Sequence, residues 1–121
     1  MIFRRVAEGK IQAITSVVTL TEVLSMPIEK QQVEYEKEYR EMLLNTEHIE
    51  LLTINVAIAE GSARLRVKYH LRTPDAMQIA SAIESGCDAF LTNDHDLRQV
   101  TEIKILWLDD LELNEVKTAE S

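Results

Sequence analysis

The stretch RTPDAMQIASAIESG, residues 72–86, runs directly into CDAFLT, residues 87–92, and this pairing constrains the fold more than any other part of the chain. The first segment predicts a helix with Thr73 as N-cap, Pro74 at the first helical position, Asp75 in the first turn and Gly86 just past the end. Ala76, Ile79, Ala80 and Ile83 recur at i, i+3, i+4 and i+7, which is the buried stripe of such a helix. The second segment reads as a short apolar strand. A helix feeding a strand in this way is the unit of a layered α/β domain.

The rest of the chain repeats this alternation. KIQAIT (residues 10–15) is expected to be a strand with Ile11, Ala13 and Ile14 as its apolar members. TSVVTLTEVLSMP follows as a helix capped by Thr15 or Ser16, with Val17, Leu20 and Leu24 at helical spacing and Pro27 as its stop. Residues 31–45 are rich in helix formers, with Tyr35, Tyr39 and Met42 on one face and charges on the other. IELLTI (residues 49–54) is the next strand, and the helix after it is capped by Asn55 with Val56, Ala59, Ala63 and Val67 inward. IKILWL (residues 103–108) is a last strand. FRRVAEG (residues 3–9) reads as the end of a helix capped by Gly9, and residues 113–121 as a frayed tail. Strands separated by helices predict a mostly parallel sheet, whose ligand sites gather at the strands' carboxyl ends.

At 121 residues the chain is expected to form one domain spanning 1–121. Its one cysteine, Cys87, excludes an intrachain disulfide and lacks the neighbours of a structural zinc site. With no membrane-length apolar run and no apolar leader core, the expected location is the cytoplasm. A net charge of −8 argues against nucleic-acid binding through bulk positive charge, although a carboxylate site that takes up divalent metal is acidic by construction.

Three acidic positions could face one strand-end crevice. Glu22 lies on the helix after the first strand, Asp75 opens its helix, and Asp94 with Asp96 follow the strand 88–92. Gathered carboxylates repel one another unless a cation joins them, and hard oxygen ligands select Mg2+ or Mn2+. The chemistry such a set suggests is metal-assisted phosphodiester hydrolysis. Each residue also has an ordinary role open to it. Asp75 suits a helix N-terminus, Asp94 could cap a short helix at His95, Asp96 could serve its first turn, and Glu22 could simply be solvated. His95 is read as a surface residue, and the basic set Arg64, Arg66, Lys68, His70 and Arg72 as dipole complement or phosphate contact.

Taken together, AITSVVTLTEVL, LRTPDAMQIASAIESGCDAFLTNDHDL and IKILWLDDL resemble the PIN-domain family, the α/β nucleases that include the VapC-type toxins of VapBC toxin–antitoxin pairs. The resemblance runs from residue 3 to about residue 111. It implies a three-layer α/β/α fold and a Mg2+- or Mn2+-dependent ribonuclease. Glu22 matches the family's helix-borne glutamate, Asp75 its third acid and Asp94 its fourth, with Thr92 and Asn93 as the polar pair before it and Asp96 as an outer acid. Family members open with a strand ending in an aspartate, which has no counterpart before Glu22; the only earlier acid is Glu8. The expectation is therefore a PIN domain shortened at its N-terminus, its first strand missing and its activity weak or lost. The resemblance also implies an RNA substrate, an antitoxin protein as partner and a homodimer. The competing expectation is a non-catalytic PIN remnant that dimerises or holds an antitoxin, for which Tyr35, Tyr39, Met42 and Leu43 would supply a surface.

Overall fold

The computed structural model describes residues 13–45, 47 and 49–107. The expected first helix with its Gly9 cap, Ile11 of the first strand and the tail lie outside the described residues. Within them the order is β1 (Ala13–Ser16), α1 (Val17–Glu29), α2 (Val33–Asn45), β2 (Ile49–Leu52), α3 (Val56–Tyr69), α4 (Thr73–Glu84), β3 (Ala89–Thr92), a 3-10 turn (His95–Gln99) and β4 (Lys104–Trp107). Every strand is four residues long.

The strand pairing is parallel throughout, and among the described residues it is divided into two pairs rather than one sheet. β1 pairs with β2, Ala13 opposite Ile49 and Ser16 opposite Leu52. β3 pairs with β4, Ala89 opposite Lys104 and Thr92 opposite Trp107. β1 and β2 are joined through α1 and α2, and β3 and β4 through a loop that holds the 3-10 turn.

The core sits between α3 and α4 and spreads beneath the loop that follows β3. Ile58, Leu65, Tyr69, Leu71, Ala76, Ile79, Ala80, Leu97, Val100 and Ile103 form one buried cluster, with Ala76 and Ile79 fully enclosed. Cys87 and Phe90 pack against it half-buried, so the thiol behaves as a small apolar group.

Local signals account for most element boundaries. Ser16 caps α1 by accepting from the Val18 N–H at 3.2 Å, and Asn55 caps α3 by accepting from Ile58 N–H at 2.9 Å. Pro27 does not stop α1, which runs on to Glu29. Pro27 lies in the last turn, and the carbonyls of Met26 and Pro27 accept from Lys30 at 2.9 Å and Gln32 at 2.8 Å, so few backbone groups are orphaned. α4 starts one residue earlier than its sequence implies: Arg72 holds the N-cap position without a side-chain cap bond, and Thr73 and Pro74 are already helical. Gly86 then turns the chain with φ of 74°.

Two helix faces differ from expectation. α3 buries Ile58, Ser62, Leu65 and Tyr69, whereas Val56, Ala59, Ala63 and Val67 face solvent, Val67 at 79% exposure. The larger side chains at i, i+7 and i+11 outweigh a stripe of valines and alanines, because buried area scales with side-chain size. On α4, Ile83 is 39% exposed and Ser81 is buried in its place, donating to Met77 O at 2.7 Å. α2 is a solvated helix anchored by Leu43, with Tyr35 and Tyr39 outward.

The end of α3 is tied down by polar contacts. His70 closes the helix in the left-handed conformation, φ 56°, and Gln99 Nε2 donates to Tyr69 O at 3.1 Å. The Tyr69 hydroxyl donates to Glu102, whose carboxylate also meets Lys68 Nζ at 3.3 Å. The Tyr69 hydrogen bond holds the Glu102 carboxyl below the usual carboxylate range, burial opposing and Lys68 assisting. The same contacts, Tyr69 first, raise the Lys68 ammonium above its ordinary value.

Candidate active site

Glu22, Asp75 and Asp94 are delivered by three different elements, all on the carboxyl side of the strands. α1 starts at the end of β1 and carries Glu22 in its second turn, exposed. Asp75 occupies the first turn of α4, where a carboxylate is favoured by the helix dipole. Asp94 lies two residues beyond β3 and opens the 3-10 turn.

Two adjoining hollows share these residues. The larger, about 810 Å³, has Glu22, Asp75, Gln78 and Thr92 among its lining residues. The smaller, about 610 Å³, is bordered by His70, Arg72, Asp75, Asp94, Asp96 and Arg98. Asp75 belongs to both, so the acids follow one rim rather than one point.

Their present contacts satisfy the ordinary roles that the sequence allows. Asp94 Oδ1 accepts from the Asp96 N–H at 3.0 Å, capping the turn, while the Asp94 N–H donates to Thr92 Oγ1 at 3.0 Å. Asp75 Oδ2 meets Arg72 Nε at 3.3 Å, and Arg72 is 78% exposed, so the pair is of the solvent-screened kind. Asp96 points to solvent in the first turn. His95 stacks on Trp107, with ring centroids 4.8 Å apart and planes 27° from parallel, which makes it a packing partner.

One polar element of the site was missed in the sequence. Ser16 is fully buried, and its hydroxyl donates to Gln78 Oε1 at 2.7 Å while capping α1. Gln78 Nε2 donates in turn to Thr19 Oγ1, which lies 2.7 Å from Thr15 Oγ1. This chain of hydrogen bonds joins β1, α1 and α4 along the wall of the larger hollow. The signal was spacing: Thr19 and Glu22 share one face of α1, and Asp75 and Gln78 one face of α4, each pair at i, i+3.

The donor chemistry suits a hard divalent cation, since all candidate ligands are carboxylate oxygens. Their convergence does not: among the described residues no three histidine, cysteine, aspartate or glutamate side chains gather closely enough to hold one ion. Glu22 and Asp94 line different hollows, and Asp75, which lines both, is itself engaged with Arg72.

Comparison with known proteins bears on this arrangement. The family model of the PIN domain matches residues 1–103. A solved structure described as a toxin–antitoxin complex from Klebsiella pneumoniae superposes with a TM-score of 0.62 at 24% identity, over 79% of this chain and 73% of that one. At that identity the likeness speaks for the fold. No curated protein matched the sequence. No helix among the described residues is long and apolar enough to cross a membrane.

Proposed function

From the premise that the chain belongs to the PIN-domain family, we propose that it is the toxin of a VapBC-type toxin–antitoxin pair, a weakly active endoribonuclease that hydrolyses RNA phosphodiesters in the cytoplasm. The observation that supports this reading is that Asp75 lines both the hollow that Glu22 borders and the hollow that Asp94 borders. Glu22, Asp75 and Asp94 would hold Mg2+ or Mn2+, with Asp96 outside them. The ion, when bound, supplies charge neutralisation of the phosphate and an activated water.

The chain's own groups have separate duties in that reading. Arg72 and Arg98, on the border of the smaller hollow, offer exposed guanidinium groups for phosphates of the RNA backbone. Thr92 and the Asp96 N–H hold Asp94 at the head of its turn. The Ser16–Gln78–Thr19 chain fixes the helix that bears Glu22 against the helix that bears Asp75.

Calorimetric titration of Mn2+ into the full chain and into Asp94→Asn tests the reading, alongside cleavage of single-stranded RNA. Asparagine caps a helix about as well as aspartate, so the substitution removes charge and leaves the turn intact. Weak binding and slow cleavage, both lost in Asp94→Asn, are the expected results.

The lack of a convergent trio among the described residues favours a second reading, a non-catalytic PIN module that dimerises or holds an antitoxin. Tyr35 and Tyr39 on α2, exposed at 55% and 39%, would be its contact face, whereas Leu43, expected on that surface, is buried and Met42 half-buried. A homodimer that binds no Mn2+ and cleaves no RNA supports it over the first.

A further inference from the structure

We propose that His95, backed by Trp107, is the platform on which an unpaired nucleobase of the RNA stacks beside Asp94. The inference rests on the ribonuclease reading and adds which form of RNA is taken and which residue selects it. The sequence already sets the parts close together. Asp94, His95 and Arg98 fall within one turn, and Trp107, the only tryptophan of the chain, ends β4.

Strand register brings the tryptophan to the turn. Trp107 stands opposite Thr92 in the β3–β4 pair, and Thr92 Oγ1 accepts the Asp94 N–H at 3.0 Å. His95 follows Asp94 in the chain and lays its ring on Trp107, with centroids 4.8 Å apart and planes 27° from parallel. The turn that carries it is fixed from below. Leu97 and Val100 are buried, the Leu97 N–H donates to Asp94 O at 3.1 Å, and Gln99 Nε2 donates to Tyr69 O at 3.1 Å. A ring held in place before binding loses little freedom when a base lands on it.

His95 is nevertheless exposed while Trp107 is half-buried, so the imidazole is backed on one side and meets solvent with the rest of its ring. Residues i and i+3 eclipse in a 3-10 turn, which sets the exposed Arg98 in line with His95. Arg98 and Asp94 also border the same hollow. An aromatic face with a guanidinium beside it suits a single strand, whose base stacks while its phosphate meets the cation. The surroundings disfavour a protein partner: Asn93, Asp96, Arg98 and Gln99 are exposed and polar, whereas the core of a protein interface is depleted of charge. Bases in a duplex keep their faces inside the helix, so the platform selects single-stranded RNA. It does so with little regard to base identity, because every base has a π-face.

Fluorescence anisotropy on the full chain tests this, at low salt with a chelator present, using labelled oligoadenylate of about eight nucleotides as probe. The control is an abasic ribose–phosphate oligomer of the same length, which the carboxylates repel as they repel the RNA, so the comparison isolates the base. The parent should bind the RNA more tightly than the abasic oligomer and more tightly than an RNA duplex. His95→Ala should weaken the RNA by about tenfold and leave the abasic oligomer unchanged, whereas His95→Phe, which keeps an aromatic face, should retain the preference of the parent. A parent that binds the RNA no better than the abasic oligomer or the duplex would overturn the proposal. So would a His95→Ala variant that loses both probes alike or neither, or a His95→Phe variant no better than His95→Ala. Cleavage is scored separately, in Mg2+: cutting by a parent that ignores the base sinks the platform and spares the nuclease reading, and base-dependent binding without cutting does the reverse.

Discussion

Residues 13–52 and residues 54–107 use similar elements to opposite effect. The later region gathers its apolar side chains into one cluster between α3 and α4, with Ile79 and Ala76 fully enclosed. In the earlier region Met26, Ile28, Val33, Tyr35, Tyr39 and Leu44 are all exposed. Buried apolar area drives folding, so the later region is the stable body and the earlier one a layer attached to it, chiefly through β1 and α1 against α4. The candidate acids straddle the two, Glu22 on the attached layer, Asp75 and Asp94 on the body.

The sharpest way to break this comparison is a matched pair of core truncations. Ile79→Ala should destabilise by about 3 kcal/mol, because an enclosed isoleucine leaves a cavity, while Ile14→Ala on half-covered β1 should cost about 1 kcal/mol. Urea unfolding measures both, and equal losses would mean that the two regions are one body. Ser16→Ala comes next: it deletes a helix cap and leaves the Gln78 amide short of a donor, for about 2 kcal/mol by the same method. In native-state hydrogen exchange α1 and α2 should open at lower free energy than α3 and α4, with Ser16→Ala widening the difference.

The smallest effect is in pH. Glu102 has its folded pKa lowered by the Tyr69 hydrogen bond, so its contribution is present above the usual carboxylate range and lost as pH falls through and below that range. Lys68, raised, contributes at neutral pH and loses its share only as pH rises past the ordinary lysine range. Tyr69→Phe should therefore flatten the acid limb of a thermal-melting profile, and an unchanged limb would show that Glu102 is not coupled to the fold.

Much of the fold was legible because local chemistry and tertiary demand agree. Ser16 and Asn55 cap as their positions imply, the Ala76–Ile79–Ala80 stripe is buried, and Asp94 opens its turn. The faces of α3 and α4 were misjudged where two stripes competed: Val56 and Val67 repeat as regularly as Leu65 and Tyr69, and only the facing helix decides which is buried. The division of the strands could not be read from β1 or β3 alone, because each keeps the sequence of a central strand whether or not a neighbour is present. Among the candidate acids, type and order were readable, but spacing was not. It depends on how α1 sits on α4, which rests on Gln78, a residue that periodicity assigns no special place.

That dependence gives Ser16 a mechanical meaning. One hydroxyl both starts the helix bearing Glu22 and grips the helix bearing Asp75 one turn beyond that carboxylate. It acts as the pin of a pivot, with the two acids on the arms to either side. The placement of one acid-bearing helix against the other is thus tied by a neutral side chain that meets neither carboxylate.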